Sequence, residues 1–126
     1  MKKLFLFVCL VALIGCEKND DSSNYNIHLA GITGKYSGIY VFTNLDNPPP
    51  DTSYVTVDVK MGGNPNEIVL YLSASEAYYF EYRDSVFVST IEYHPPTLSF
   101  SHDSLHYFRQ PGLGPAYEIC ECKKVD

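Results

Sequence analysis

Residues 54–73 read YVTVDVKMGGNPNEIVLYLS, and this stretch decides the fold. Valine occupies every second position from Val55 to Val59, and apolar residues keep the same spacing from Ile68 to Leu72. A period of two places those side chains on one face of a β-strand. Between the two runs lies GGNPN, whose glycine, proline and asparagine residues favour a turn. The stretch therefore predicts a β-hairpin with one buried face.

Short β-rich runs separated by turn residues continue on both sides of this hairpin. We expect eight strands, at residues 35–43, 55–60, 68–73, 77–82, 86–93, 97–100, 105–108 and 117–122. No amphipathic helix of ten residues lies between them, which excludes parallel βαβ units. Residues 34–126 are therefore predicted to form a single all-β domain, a small antiparallel up-and-down barrel. A two-sheet β-sandwich has the same strand rhythm and is the alternative.

Composition narrows the class of protein. The chain has 126 residues, enough for one ordinary domain, and a net charge of −6. The excess of acidic over basic residues argues against binding to nucleic acid, because neutralising phosphates requires a basic face. The 11 tyrosines and 7 phenylalanines exclude a disordered acidic tail.

The N-terminus has the pattern of a cleaved signal. Lys2 and Lys3 precede an apolar run, Leu4 to Ile14, of 11 residues. A membrane-spanning helix needs roughly 20 residues, so residues 1–15 are predicted to be a signal peptide. The run ends in Leu-Ile-Gly-Cys at residues 13–16, which resembles the lipobox of bacterial lipoproteins. The resemblance implies cleavage before Cys16 and attachment of a diacylglycerol to its thiol.

The charged run at residues 17–21, EKNDD, resembles the export signal of surface lipoproteins of Bacteroidota. That resemblance implies a protein anchored in the outer membrane by its lipid, with the domain on the cell surface. The alternative is a solvated spacer with no sorting role. In either case residues 16–33 are expected to be the lipidated cysteine and a flexible tether.

Two short motifs resemble those of calycins. Gly34-Lys35-Tyr36 is similar to the Gly-x-Trp that opens many calycin and lipocalin barrels. The hairpin at residues 103–107, DSLHY, is similar to that of small calycin-like lipoproteins of Bacteroidota. The resemblance implies a barrel that takes a small ligand.

Aromatic residues supply the candidate ligand-binding side chains. Tyr78, Phe80 and Tyr82 share one face of a strand, and Tyr79 points to the other. Tyrosine suits binding because its ring is apolar and its hydroxyl forms hydrogen bonds. Together with Tyr36 these residues are the candidate ligand-binding set, and filling the core is the alternative role for them.

Two cysteines remain in the domain, Cys120 and Cys122. Residues two apart on a strand share a face at about 6.5–7 Å, the far limit of disulfide geometry. The pair is therefore either two buried thiols or a strained disulfide. The spacing of a four-ligand metal site is missing, so we expect no metal.

No pattern in the sequence indicates catalysis. The Gly-x-Ser-x-Gly elbow and the phosphate-binding glycine loop are both missing, so we expect neither an enzyme nor a cofactor. Two functions remain. The first is binding of a small apolar or amphipathic ligand. The second is a protein-interaction or inhibitor role through an outer face or through the loop that contains Pro48 to Pro50.

Lipid attachment is tested by the substitution Cys16→Ser. We expect the variant to lose incorporated fatty acid and to leave the membrane fraction, because stable anchoring needs the acyl chains. Labelling of cells with an alkyne-tagged palmitate measures the attachment. Cys9→Ser is the matched control, since residue 9 would leave with the signal. Label retained by Cys16→Ser would contradict the lipobox assignment.

Overall fold

A computed structural model describes residues 28–125 of the chain. Its eight strands are antiparallel and pair in sequence order, and β1 also pairs with β8 to close a barrel. This confirms the predicted all-β up-and-down barrel, and the sandwich alternative is wrong. The strands are β1 (Gly34–Asn44), β2 (Asp51–Met61), β3 (Glu67–Ser73), β4 (Glu76–Arg83), β5 (Val86–Ser89), β6 (Thr97–Ser101), β7 (Ser104–Arg109) and β8 (Ala116–Lys124).

The barrel closes where β1 meets β8. Gly38 lies opposite Cys122 in this ladder and opposite Val55 on the other side. A Cβ atom added at position 38 would overlap the carbonyl oxygen of Glu121 and would lie 2.7 Å from the Cα of Cys122. Only glycine permits this approach, so residue 38 sets how closely the first and last strands pack.

Strand β5 is shorter than the sequence predicted. It was expected to span residues 86–93 but ends at Ser89. The hydroxyl of Ser89 accepts a hydrogen bond from the backbone N–H of Ile91 at 3.2 Å, and His94 has a positive φ of 50°. These features bend the chain away from the sheet before Pro95 and Pro96. The residue pattern of 86–93 predicted a strand, because a hydrogen bond between a serine side chain and the backbone leaves no trace in such a pattern.

Inward side chains fill the middle of the barrel. With eight strands the interior is just wide enough for side chains, so little space is left between them. The alternation predicted for the first hairpin is confirmed, since Val57, Val59, Ile68 and Leu70 are all buried. The largest fully buried side chains are Tyr36, Tyr107, Phe80, Leu29, Ile68, Leu70 and Leu105.

Within the described residues, a short helix, α1, includes residues 28–32 and covers one end of the barrel. Leu29 is fully buried in the core, and Tyr36 donates a hydrogen bond from its hydroxyl to the carbonyl of Ile32 at 2.7 Å. Lys124 donates to the carbonyl of Gly31 at 2.7 Å. The predicted tether, residues 16–33, therefore includes a piece that packs as part of the domain.

The opposite end of the barrel carries the loops β1–β2, β5–β6 and β7–β8 and the tight β3–β4 turn. We call it the loop end, and the end covered by α1 the helix end. Within residues 28–125, no helix has the length and apolar character needed to cross a membrane.

Closure of the barrel is tested by Gly38→Ala. We expect a loss of about 3 kcal/mol in the free energy of unfolding, because the new methyl group meets backbone atoms that cannot turn aside. Gly63→Ala is the control, since nothing lies within 4 Å of a Cβ at that position. The control should change stability by no more than about 0.5 kcal/mol. Urea denaturation of both variants measures the difference, and equal stability would refute the closure argument.

Candidate functional site

A cleft of about 620 Å³ opens at the helix end, between α1 and the β5–β6 seam. Its walls come from α1, the end of β4, and strands β5 and β6. Most lining side chains are apolar or aromatic, and the polar ones are two histidines and small hydroxyl residues. The lining residues are His28, Ile32, Tyr82, Ser85, Val86, Phe87, Thr97, Leu98, Ser99, Phe100 and His102.

The cleft exists because β5 and β6 diverge. Only one residue pair, Phe87 with Leu98, is in register between them among the described residues. Every other neighbouring strand pair of the barrel has at least four paired positions. At the cleft rim the β4–β5 turn places Asp84 and Ser85 at φ values of 48° and 69°. Positive φ at both residues is what a two-residue type I′ turn requires.

A chain of ring contacts follows the wall of the cleft into the core. The ring centroids of His28 and Tyr82 are 5.5 Å apart, and those of Tyr82 and Phe87 are 5.0 Å apart. Phe87 meets Phe100 edge-on at 5.3 Å, and Phe100 lies 5.8 Å from Tyr36. These separations are typical of favourable aromatic pairs, so the rings hold one another in position.

The structure separates the five aromatic residues that the sequence grouped together. Tyr82 lines the cleft, and Tyr36 contacts its wall through Phe100. Phe80 is fully buried in the core, and Tyr78 belongs to a different cluster at the loop end. Tyr79 is 46% exposed on the outer face and does not line the interior.

Phe87, Phe100 and His28 line the cleft and were missed by sequence reasoning. Phe87 and Phe100 fell within predicted strands, but the sequence did not assign either ring to the inward face. Their meeting across the seam depends on the pairing of β5 with β6, which no local pattern reveals. His28 was placed in the tether, because residues 28–32 are too short a stretch to show a helical period.

Tyr78 is the centre of a polar cluster at the loop end. Its hydroxyl donates to Glu76 Oε1 at 2.5 Å and accepts from Arg109 Nη1 at 2.5 Å. The guanidinium also lies 5.2 Å from the centre of the Tyr78 ring, a cation–π contact. Burial, and then the hydrogen bond to Glu76, raises the pKa of the Tyr78 phenol.

Cys120 and Cys122 both point into the barrel as free thiols. Their Sγ atoms are 3.3 Å apart, and both side chains are buried. The hydrogen bond between them lowers the pKa of Cys122 and, together with burial, raises that of Cys120. The candidate disulfide between Cys120 and Cys122 stays a prediction. Cys16, the candidate lipidation site, lies outside the described residues.

Among residues 28–125, no three histidine, cysteine, aspartate or glutamate side chains converge on one point where a metal ion would sit. Comparison of the chain with protein-family models, curated proteins and solved structures gives no match. The geometry of the barrel and its two ends is therefore the basis for inferring function.

Phe80 and Tyr79 lie on opposite faces of β4, and removing each ring in turn tests this assignment. We expect Phe80→Ala to lose about 3–5 kcal/mol of stability, because it leaves a cavity in a filled core. Tyr79→Ala removes a ring of similar size from the outer surface and should cost roughly 1 kcal/mol or less. Thermal unfolding compares the two variants. Equal losses would mean that the two side chains are not on opposite faces of β4.

Proposed function

We propose that this protein is a lipid-anchored lipoprotein of the cell envelope whose barrel binds a small apolar or amphipathic ligand in the cleft at the helix end. The cleft volume of about 620 Å³ carries the proposal. Pockets for small ligands have volumes of roughly 300–1,000 Å³ and mainly apolar linings with a few polar groups.

The lining indicates what kind of ligand fits. None of the described residues that line the cleft carries a carboxylate, an ammonium or a guanidinium group. The imidazoles of His28 and His102 are the only lining groups able to pair with a charged ligand, so a molecule that is mainly uncharged is favoured. The rings of Tyr82, Phe87 and Phe100 offer surfaces for stacking, which favours a ligand with a ring or a flat apolar part.

The position of the cleft supports a ligand that comes from the membrane. The described chain begins at His28, which itself lines the cleft, so the segment from Cys16 enters the domain at this end. The chain advances by twelve residues from Cys16 to His28. Fully extended they span about 40 Å, which keeps the cleft near the proposed lipid anchor in the outer membrane.

A second candidate is binding of a protein partner through the outer face of the barrel. Ile39, Tyr54 and Phe108 are exposed on strands β1, β2 and β7, and Tyr54 is 80% accessible. The rings of Phe108 and Tyr117 pair at 6.1 Å beside them. Ile39 and Tyr54 lie opposite each other in the β1–β2 ladder, and exposed apolar pairs of this kind occur at interaction surfaces.

Native mass spectrometry of the lipidated protein, purified gently from its own host, tests the proposal. We expect an excess mass that disappears on denaturation, because a bound ligand would be released. Phe87→Leu keeps an apolar side chain but removes a ring of the cleft, and should lower the occupied fraction. Tyr79→Leu is the control, because it removes a ring from the outer face.

Two outcomes would count against the cleft. A bare protein mass in repeated preparations would favour the protein partner. Equal occupancy in the Phe87→Leu and wild-type proteins would place the ligand elsewhere.

A further inference from the structure

Three loops of the loop end each hold a large apolar side chain in solvent. Leu45 of the β1–β2 loop is 64% exposed, Tyr93 of the β5–β6 loop 80%, and Leu113 of the β7–β8 loop 96%. We call these three residues the loop tips. Apart from Tyr54 on the outer face, no large apolar side chain of residues 28–125 is as exposed. Single exposed apolar residues are common on protein surfaces, but three at one end of a barrel form a pattern.

Strand pairing places the three loops side by side on the rim of the barrel. Asn44 and Ala116 form the last pair of the β1–β8 ladder, so the β1–β2 and β7–β8 loops leave the sheet at neighbouring points. Thr97 pairs with Phe108 in the β6–β7 ladder, so the β5–β6 loop ends next to the start of the β7–β8 loop. The β7–β8 loop therefore lies between the other two, and the loop tips belong to one continuous arc.

The three loops are rich in proline. Seven of the eight prolines in the chain lie in them, at residues 48–50, 95–96, 111 and 115. The pyrrolidine ring fixes the φ angle of each proline, so few backbone conformations are open to these loops. A loop that is already ordered loses little conformational entropy on binding, and more of the energy of its apolar contacts remains as affinity.

Hydrogen bonds and anchoring side chains fix the loops further. Gln110 donates from its side-chain amide to the carbonyl of Gly114 at 2.9 Å, which closes the β7–β8 loop below its tip. Ile91 packs against the core and Pro96 is buried, and these two residues flank Tyr93 in the chain. The loop tips therefore project from segments whose bases are held by the barrel, an arrangement typical of binding loops on a rigid scaffold.

The charge of the loops restricts the kind of partner. Asp46 and Glu92 each stand next to a loop tip in the chain, and the three loops contain no lysine or arginine. A membrane surface with anionic lipids attracts basic residues, and segments that lie in its interface are rich in lysine and arginine. The acidic loops have the opposite character. A protein surface that carries lysine or arginine beside apolar side chains is complementary to them.

The loop tips protrude, so a complementary surface is concave. Three separate apolar side chains on an arc fit a hollow or groove with an apolar lining better than a flat face. A second copy of this end is a poor match, because a symmetric contact would bring the acidic residues of both copies together. A different protein with an apolar hollow and a basic border satisfies both shape and charge.

We propose that the loop end docks into an apolar hollow of a second protein, bordered by lysine or arginine, with the three loop tips as the inserted side chains. This surface uses neither the cleft, which lies at the opposite end of the barrel, nor the exposed residues of the outer face. Its failure would leave the proposed function of the cleft standing, and the reverse is also true.

Photo-crosslinking in cells of the protein's own host shows what the loop end touches. The full-length lipidated protein carries the substitution Leu113→p-benzoylphenylalanine, at the most exposed loop tip. We expect ultraviolet light to produce an adduct with one protein, in which the crosslinked peptide is apolar and lies next to lysine or arginine residues. The substitution Tyr79→p-benzoylphenylalanine, on the outer face, is the control and should not give this adduct.

The affinity of the purified pair measures the contribution of the loop tips. Tyr93→Ser should weaken binding by about tenfold, because it removes a ring that is buried in the complex. Tyr54→Ser is the matched control, since both tyrosines are 80% exposed, and should leave the affinity unchanged. Glu92→Lys should also weaken binding, whereas Asp103→Lys, the control at the helix end, should not. All four positions are exposed, so we expect the variants to fold, and thermal unfolding checks this.

Four results would overturn the proposal. Adducts with lipid would show that the loop end inserts into a membrane, and adducts between two copies of this chain would show self-association. The absence of any adduct specific to residue 113 would show that the loop end has no partner. Equal affinity of the Tyr93→Ser and Tyr54→Ser variants would place the contact elsewhere. Unchanged affinity in Glu92→Lys would show that the partner has no basic border.

Discussion

The contact between β1 and β8 is the constraint on which the rest of the structure depends. Gly38 is the point where the two strands approach too closely for any side chain. Closure joins the ends of an eight-strand sheet and removes its outer edges. It also fixes the diameter of the barrel, and with it the volume that inward side chains have to fill. Without that contact, neither end of the barrel would have a defined shape.

A fixed interior volume explains why the candidate cleft lies at an end of the barrel. Tyr36, Phe80 and Tyr107 occupy the middle so fully that no ligand passes through it. At the helix end, α1 and the diverging β5–β6 seam leave a cleft with an aromatic wall. At the loop end, charged and phenolic side chains meet in a small volume. The same barrel therefore presents a mainly apolar surface at one end and a cluster of polar side chains at the other.

The sequence predicted the class of fold because alternation is a local property. Residues 54–73 showed the period of two directly, and the turn residues marked the strand boundaries. The helix at residues 28–32 and the early end of β5 were missed, because a single buried leucine and a single serine hydrogen bond produce no periodic pattern in the sequence. The site was predicted only in part. Tyr82 was identified from the aromatic run at residues 78–82, but its partners Phe87 and Phe100 come together only through pairing between β5 and β6.

The β5–β6 seam has a further consequence, for self-association. Because β5 and β6 share a single paired position, parts of both strands keep unpaired backbone groups, as at the rim of an open sheet. Such groups invite pairing with a second chain. Here β5 has four residues and β6 has five, and Pro95 and Pro96 precede β6. Strands this short, next to residues that lack an N–H group, give a neighbouring molecule little to pair with. The barrel therefore keeps an opening in its wall and remains a poor template for aggregation.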